Sequence, residues 1–323
     1  MMGRAIKIIL IAAILTVIGI PGPAWAEIKA TYLYNLSNFT GVVPTSSAKV
    51  SIDPVTKEVY VISGGLVRIF NASGMEIYSF GEDLIGVLLD AALDEQGNIY
   101  ILQYSYEENR TVVILCNYRG EPIREIKITN VPPRFEGYRP NRMIYMNGTL
   151  YLASESAMTV MTTDANGVFK AGADFFSLMD IKEMVTRTGE KKEASRENLG
   201  IAGFFVDHEG NMLFTSPITA VAYVVSPDLK VQSFGKKGSA PGKFAVPRGM
   251  ARDRAGNYLV SDILRSVVMV FDKDFEFLME FGYRGFGPGG LIGPTEMAVD
   301  DDSKLYVSQL RERGVSVFQL QSN

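Results

Sequence analysis

Asp253-Arg254-Ala255-Gly256-Asn257-Tyr258-Leu259 is the stretch whose reading decides the fold. An Asp at its head caps a turn through its side-chain oxygen, Gly256 accepts a positive φ, and the alternation after Asn257 enters a half-buried strand. The phrase returns at Asp207-His208-Glu209-Gly210-Asn211-Met212-Leu213 and at Asp94-Glu95-Gln96-Gly97-Asn98-Ile99-Tyr100. Looser copies run from Asp53 to Tyr60 and from Asp300 to Tyr306, and Asn147-Gly148-Thr149-Leu150-Tyr151 keeps the turn without the Asp. The anchors Tyr60, Tyr100, Tyr151, Leu213, Leu259 and Tyr306 lie 40, 51, 62, 46 and 47 residues apart. Six such hairpins at these intervals predict six four-stranded blades with loop insertions, an all-β six-bladed β-propeller.

A second strand pair follows each anchor, most legibly Val267 to Asp272 and then Phe275 to Gly282. The last blade stops at Val315 to Leu320, one strand short. Ala30-Thr31-Tyr32-Leu33-Tyr34, stranded before the first blade, is expected to supply the missing strand and close the ring, which removes an edge that would invite aggregation. Between the third and fourth blades, about 174–200, the blade pattern lapses. Phe175 to Val185 has helical spacing and Thr186 to Arg196 is charged and polar, so a helix-bearing insertion is expected there.

Phe234-Gly235, Gly238, Gly242, Phe244, Pro247, Asp253, Gly256, Val260, Asp262, Val270, Phe271 and Phe281-Gly282 resemble an NHL repeat, and the phrase recurs from Phe281 to Phe318. The resemblance covers about 30–320 and implies a six-bladed propeller that serves as a protein-interaction platform. Exported bacterial propellers of this kind are met as companions of envelope complexes, including multihaem cytochrome systems. Similar propellers also include a peptide-amidating lyase with a histidine-bound zinc, an antibiotic lyase with a catalytic histidine, and sugar-lactone hydrolases that hold a divalent cation with carboxylates and amides.

The chain begins with Arg4 and Lys7, an apolar run from Ile8 to Ile20, Pro21-Gly22-Pro23 and the small-residue pattern Ala24-Trp25-Ala26. This reads as a signal peptide over 1–26, cleaved before Glu27, since the apolar run is short of the roughly 20 residues of a spanning helix. The domain expected after it is 27–323, periplasmic or extracellular, with no membrane span. Its 30 basic and 36 acidic side chains argue against nucleic acid as a partner. Cys116 is the sole cysteine, so an internal disulfide, a lipidated N-terminal cysteine and a haem-attachment motif are all excluded.

The residues suggest no catalytic set, metal or cofactor. His208 is the only histidine and stands between Asp207 and Glu209 in a turn, so neither lyase's histidines carry over. Asp53, Asp94, Asp207, Asp253 and Asp300 are already explained as turn caps, which weakens the lactonase alternative. Ser63, Gln103, Ser154, Ser216, Asp262 and Gln309 form a polar column after the anchors, expected to satisfy backbone groups. A second column, at the start of each blade, reads Lys49, Asp90, Arg142, Gly203, Gly249 and Glu296, with Arg248 beside it. At a channel mouth, Lys49, Asp90, Arg142, Arg248 and Glu296 would either read a polar partner or pair with one another in water. The function expected is a non-catalytic binding or assembly module joined to a protein partner. A metal-dependent hydrolase and a ligand sensor are the alternatives.

Overall fold

The computed structural model describes residues 28–82, 86–185 and 190–322. The expected signal peptide lies outside them. Within the described residues no helix is long and apolar enough to cross a membrane.

Six four-stranded antiparallel sheets follow one another around a ring. Their inner strands are Lys49–Ile52, Val87–Leu93, Arg142–Met146, Ala202–Val206, Pro247–Arg252 and Pro294–Val299. The molecule is thus the six-bladed propeller that the turns predict. Blade 6 is built from Pro294–Val299, Lys304–Gln309 and Val315–Ser322, and Ile28–Asn35 forms its outermost strand. The pairing runs from Ile28 opposite Ser322 to Asn35 opposite Ser316 and shifts register between Tyr32 and Tyr34. The first strand of the described chain therefore closes the ring, as expected.

The turn chemistry is visible atom by atom. Asp94 Oδ1 accepts from the N–H groups of Gln96 (3.0 Å) and Asn98 (2.9 Å), while its Oδ2 accepts from the Asn98 side chain at 2.8 Å. Asp207 and Asp253 repeat the pattern on Asn211 and Asn257, and Asp300 accepts from the Asp302 and Lys304 N–H groups. Sequence reading missed a second set of caps in the turns between third and outer strands. There Asn71, Asn117, Asp164 and Asp272 each accept from the N–H groups two and four residues on.

Apolar side chains fill the six clefts between neighbouring blades. Phe175, Phe204 and Phe214 meet between blades 3 and 4, with the rings of Phe175 and Phe214 4.5 Å apart. Truncating a buried aromatic of this kind costs about 3–5 kcal/mol. Cys116 sits in the cleft between blades 1 and 2, where burial pushes its thiol up to about 11. At the rim outer strands lean on the next blade's outer turn in blades 6 and 1, where the Tyr34 hydroxyl donates to Ala72 O and the Tyr78 hydroxyl to Arg119 O, both at 3.2 Å.

The insertion is present but less helical than its spacing suggests. Among its described residues helix covers only Phe175–Met179 and Arg196–Leu199, and Glu183–Val185 pairs with Lys191–Glu193 as a small ribbon. Asp180 adopts a left-handed conformation (φ 46°) and ends the first helix. Phe175, Ala194 and Leu199 are buried against blades 3 and 4, and Arg196 grips Asp174 through both carboxylate oxygens. Because it joins an outer strand to the next inner strand, the insertion emerges on the face where the inner strands begin, here called the upper face.

Candidate functional site

Inner strands open each blade next to the axis, so one residue per strand recurs at the same height around the channel. Four of the five proposed site residues meet there. Arg142 Nη1 lies 3.2 Å from Asp90 Oδ2, Arg142 Nη2 lies 3.3 Å from Glu296 Oε2, and Lys49 Nζ lies 3.8 Å from Asp90 Oδ2. Lys49 also donates to Leu89 O at 2.7 Å and to Asn141 O. Asp90 is fixed by the N–H groups of Ala91 and Met143 at 3.0 and 2.8 Å. Blades 1, 2, 3 and 6 thus contribute charges that pair across the channel.

Their setting differs from the expected one in water. The side chains of Asp90 and Arg142 are only 3 % and 9 % exposed, and Glu296 only 16 %. Burial pulls the Lys49 ammonium below its ordinary value, with Asp90 opposing. Burial likewise raises the Glu296 carboxyl, and Arg142 only partly offsets it. For Arg142 burial also works against the charge, yet Asp90, Glu296 and Glu155 outweigh it and hold the guanidinium ionised. Glu155 was missed in the sequence because it lies in a turn outside the column. Its Oε2 accepts from the Asn141 side chain at 3.0 Å.

Arg248 does not join the cluster. Its side chain is exposed, makes no ion pair among the described residues, and points away from a strand whose neighbour Gly249 is buried. Gly203 and Gly249 fill the column in blades 4 and 5 for a steric reason. A Cβ on Gly203 would sit 2.2 Å from Arg248 O, and one on Gly249 2.0 Å from Thr295 O. In that sector the inner strands approach backbone to backbone.

The polar column satisfies backbone groups in blades 5 and 6, whereas the Ser216 hydroxyl in blade 4 is buried without a hydrogen-bond partner. Asp262 accepts four backbone N–H groups, from Ala245, Val246, Leu264 and Arg265, and Gln309 Oε1 accepts from Ile292 N–H. At the opposite end of the channel a recess of about 390 Å³ is bordered by Met146, Phe205, His208, Arg252 and Arg254. His208 stays in its exposed turn, 3.8 Å from Glu209. Arg252 ties blade 5 to blade 4 through Asp207 and Glu209, both at 2.7 Å, and Asp301 receives Arg254 and Lys57. No group of three or more potential metal ligands occurs among the described residues.

Solved structures place this architecture among known proteins. What they share with the chain is the propeller. The virginiamycin B lyase of Staphylococcus aureus superposes with a TM-score of 0.58 over 91 % of this chain and 99 % of its own, at 11 % identity. A protein of unknown function from Bacteroides thetaiotaomicron gives 0.61 over 91 % of this chain and 77 % of its own, also at 11 % identity. An auxiliary nutrient binding protein from the same organism gives 0.60 over 92 % and 77 %, again at 11 % identity. No family model and no curated protein matches the sequence.

Proposed function

We propose that the protein is an exported, NHL-type binding or assembly module, periplasmic or extracellular, that engages a protein partner on its upper face and performs no chemistry there. A place beside envelope redox complexes such as multihaem cytochromes belongs to the same reading. The observation that carries it is the self-paired channel. Lys49, Asp90, Arg142 and Glu296 neutralise one another, and Arg248 remains exposed beside them. The turns between second and third strands add exposed Tyr106, Ile218 and Leu264 to the same face, where aromatic, apolar and Arg side chains favour protein contacts.

The enzymatic alternatives draw less support from the residues. The lactonase reading needs free carboxylates at the channel, but Asp90 and Glu296 there are paired with Arg142, and the turn residues Asp94, Asp207 and Asp253 have both oxygens engaged by turn groups. A form of virginiamycin B lyase with one histidine replaced by alanine is catalytically inactive. Here the single histidine, His208, is 62 % exposed in a hairpin turn. The nutrient-binding neighbour is in keeping with a binding role.

The test is capture from an envelope extract by the immobilised protein, with crosslinking to locate the contact. Arg248→Glu combined with Leu264→Asp should abolish capture while the melting temperature stays close to wild type. If those changes leave capture intact and removal of residues 176–193 abolishes it, the insertion is the binding element. Capture unaffected by either change would defeat the upper-face reading.

A further inference from the structure

Between blades 2 and 3 the chain runs without a strand from Lys127 to Asn141, longer than a blade connection requires. Its course is fixed from blade 3. The Tyr138 hydroxyl lies 2.8 Å from both Leu152 O and Thr159 O, and Phe135 is buried so close to Gly172 that a Cβ there would lie 2.2 Å from its ring. Between this connection and blade 2 lies a recess of about 340 Å³. That is within the range of about 300–1,000 Å³ typical of small-molecule sites.

The recess has an apolar floor that includes Val113, Ile128 and Val131, and Thr111 stands in its wall. Three charged side chains border it, Arg110, Glu136 and Arg139. Arg110 is already neutralised by Glu108 and Glu125, the latter at 2.9 Å. Arg139 touches only neutral groups, donating to Asn109 Oδ1 at 3.0 Å and lying 5.5 Å from the Tyr104 ring. Glu136 is exposed and makes no ion pair among the described residues. The mouth therefore presents one unneutralised cation and one unneutralised anion three residues apart, above an apolar floor.

We propose that this recess binds a free α-amino acid with an apolar side chain. The carboxylate meets the Arg139 guanidinium, the ammonium meets Glu136, and the side chain covers Val113, Ile128 and Val131. Charge-assisted contacts of both signs select a zwitterion over a simple acid or amine. The recess opens on the upper face but shares no residue with the channel cluster and includes neither Arg248 nor Leu264, so its test is separate from that of the protein-partner reading.

Isothermal titration of the purified protein with L-leucine and L-phenylalanine tests it, with N-acetyl-L-phenylalanine and 2-phenylethylamine as probes lacking one charge each. Saturable binding of the amino acids is expected, with each single-charge probe at least 10-fold weaker. Glu136→Gln and Arg139→Gln should each weaken L-phenylalanine at least 10-fold. The Glu136 side chain makes no hydrogen bond or ion pair among the described residues, so its variant should melt as wild type even if Arg139→Gln disturbs the loop. The absence of binding by either amino acid overturns the proposal. Equal affinity for N-acetyl-L-phenylalanine, or an unchanged affinity in Glu136→Gln, also overturns it.

Discussion

Blades 4 and 5 and the other four blades solve the same problem in opposite ways. In the first sector the inner strands close on one another until only hydrogen fits, and the column residues are Gly203 and Gly249. In the second Lys49, Asp90, Arg142 and Glu296 fill the space about the axis with long side chains. A ring of charges at a channel therefore does not by itself denote a ligand reader. It can be the packing of the channel, held by pairing because buried charges must be paired.

This contrast is open to direct attack, and the largest effect should come from Arg142→Ala. It leaves Asp90 and Glu296 buried without their shared cation, so a loss of about 3–5 kcal/mol in urea unfolding is expected. A loss below 1 kcal/mol would show that the cluster is solvated rather than buried. Gly203→Ala should follow at about 2–3 kcal/mol, since it adds a clash with Arg248 O to a backbone at φ 64°. Tolerance of that change would mean that the close sector is not close.

The Glu296→Gln variant sharpens the comparison through pH. Burial raises the Glu296 carboxyl despite Arg142, so the folded state holds its proton more tightly than the unfolded chain does. The stability that Glu296 contributes is therefore full below the ordinary carboxylate range and is lost as pH rises through the raised value. The stability of wild type minus that of Glu296→Gln should accordingly shrink in unfolding curves taken from about pH 4 upward. A difference that widens with pH would contradict the assignment. The smallest effect belongs to Arg248→Ala, which lies outside the cluster and should stay within about 0.5 kcal/mol of wild type.

Much of the fold was legible because its decisive interactions are local. An Asp that caps its own turn leaves Asp94, Gly97 and Asn98 within five consecutive residues, and the closing strand showed as an unclaimed alternation around Thr31. The outer-turn caps carried a comparable signal that went unread, in Asn71-Ala72-Ser73-Gly74, Asn117-Tyr118-Arg119-Gly120 and Asp164-Ala165-Asn166-Gly167. The site was legible only as a list of side chains. Whether Lys49 and Arg142 face water depends on how far the strands stand from the axis, a distance set by the whole ring. The Glu136–Arg139 recess depends on a connection that leaves blade 2 and folds against blade 3, which no spacing reveals, whereas Glu155 lies just past the polar column in the same blade as Arg142. The insertion misled because Phe175, Leu178 and Met179 repeat at helical spacing before Asp180 turns the chain.

The strand Ile28–Asn35 has a kinetic consequence. Its partners, Ser316 to Ser322, are the farthest residues along the described chain, so the contact that seals the ring spans nearly the whole polypeptide. Pairings of such long range are slow, because the entropy of closing the loop is lost before any contact compensates for it. Blades 1 to 5 can each zip from neighbouring hairpins, whereas blade 6 must wait with an unpaired border until both extremities arrive. Refolding should then show local hairpins early and a single late phase, slowed by changes at Tyr32 or Phe318, in which the last sheet locks.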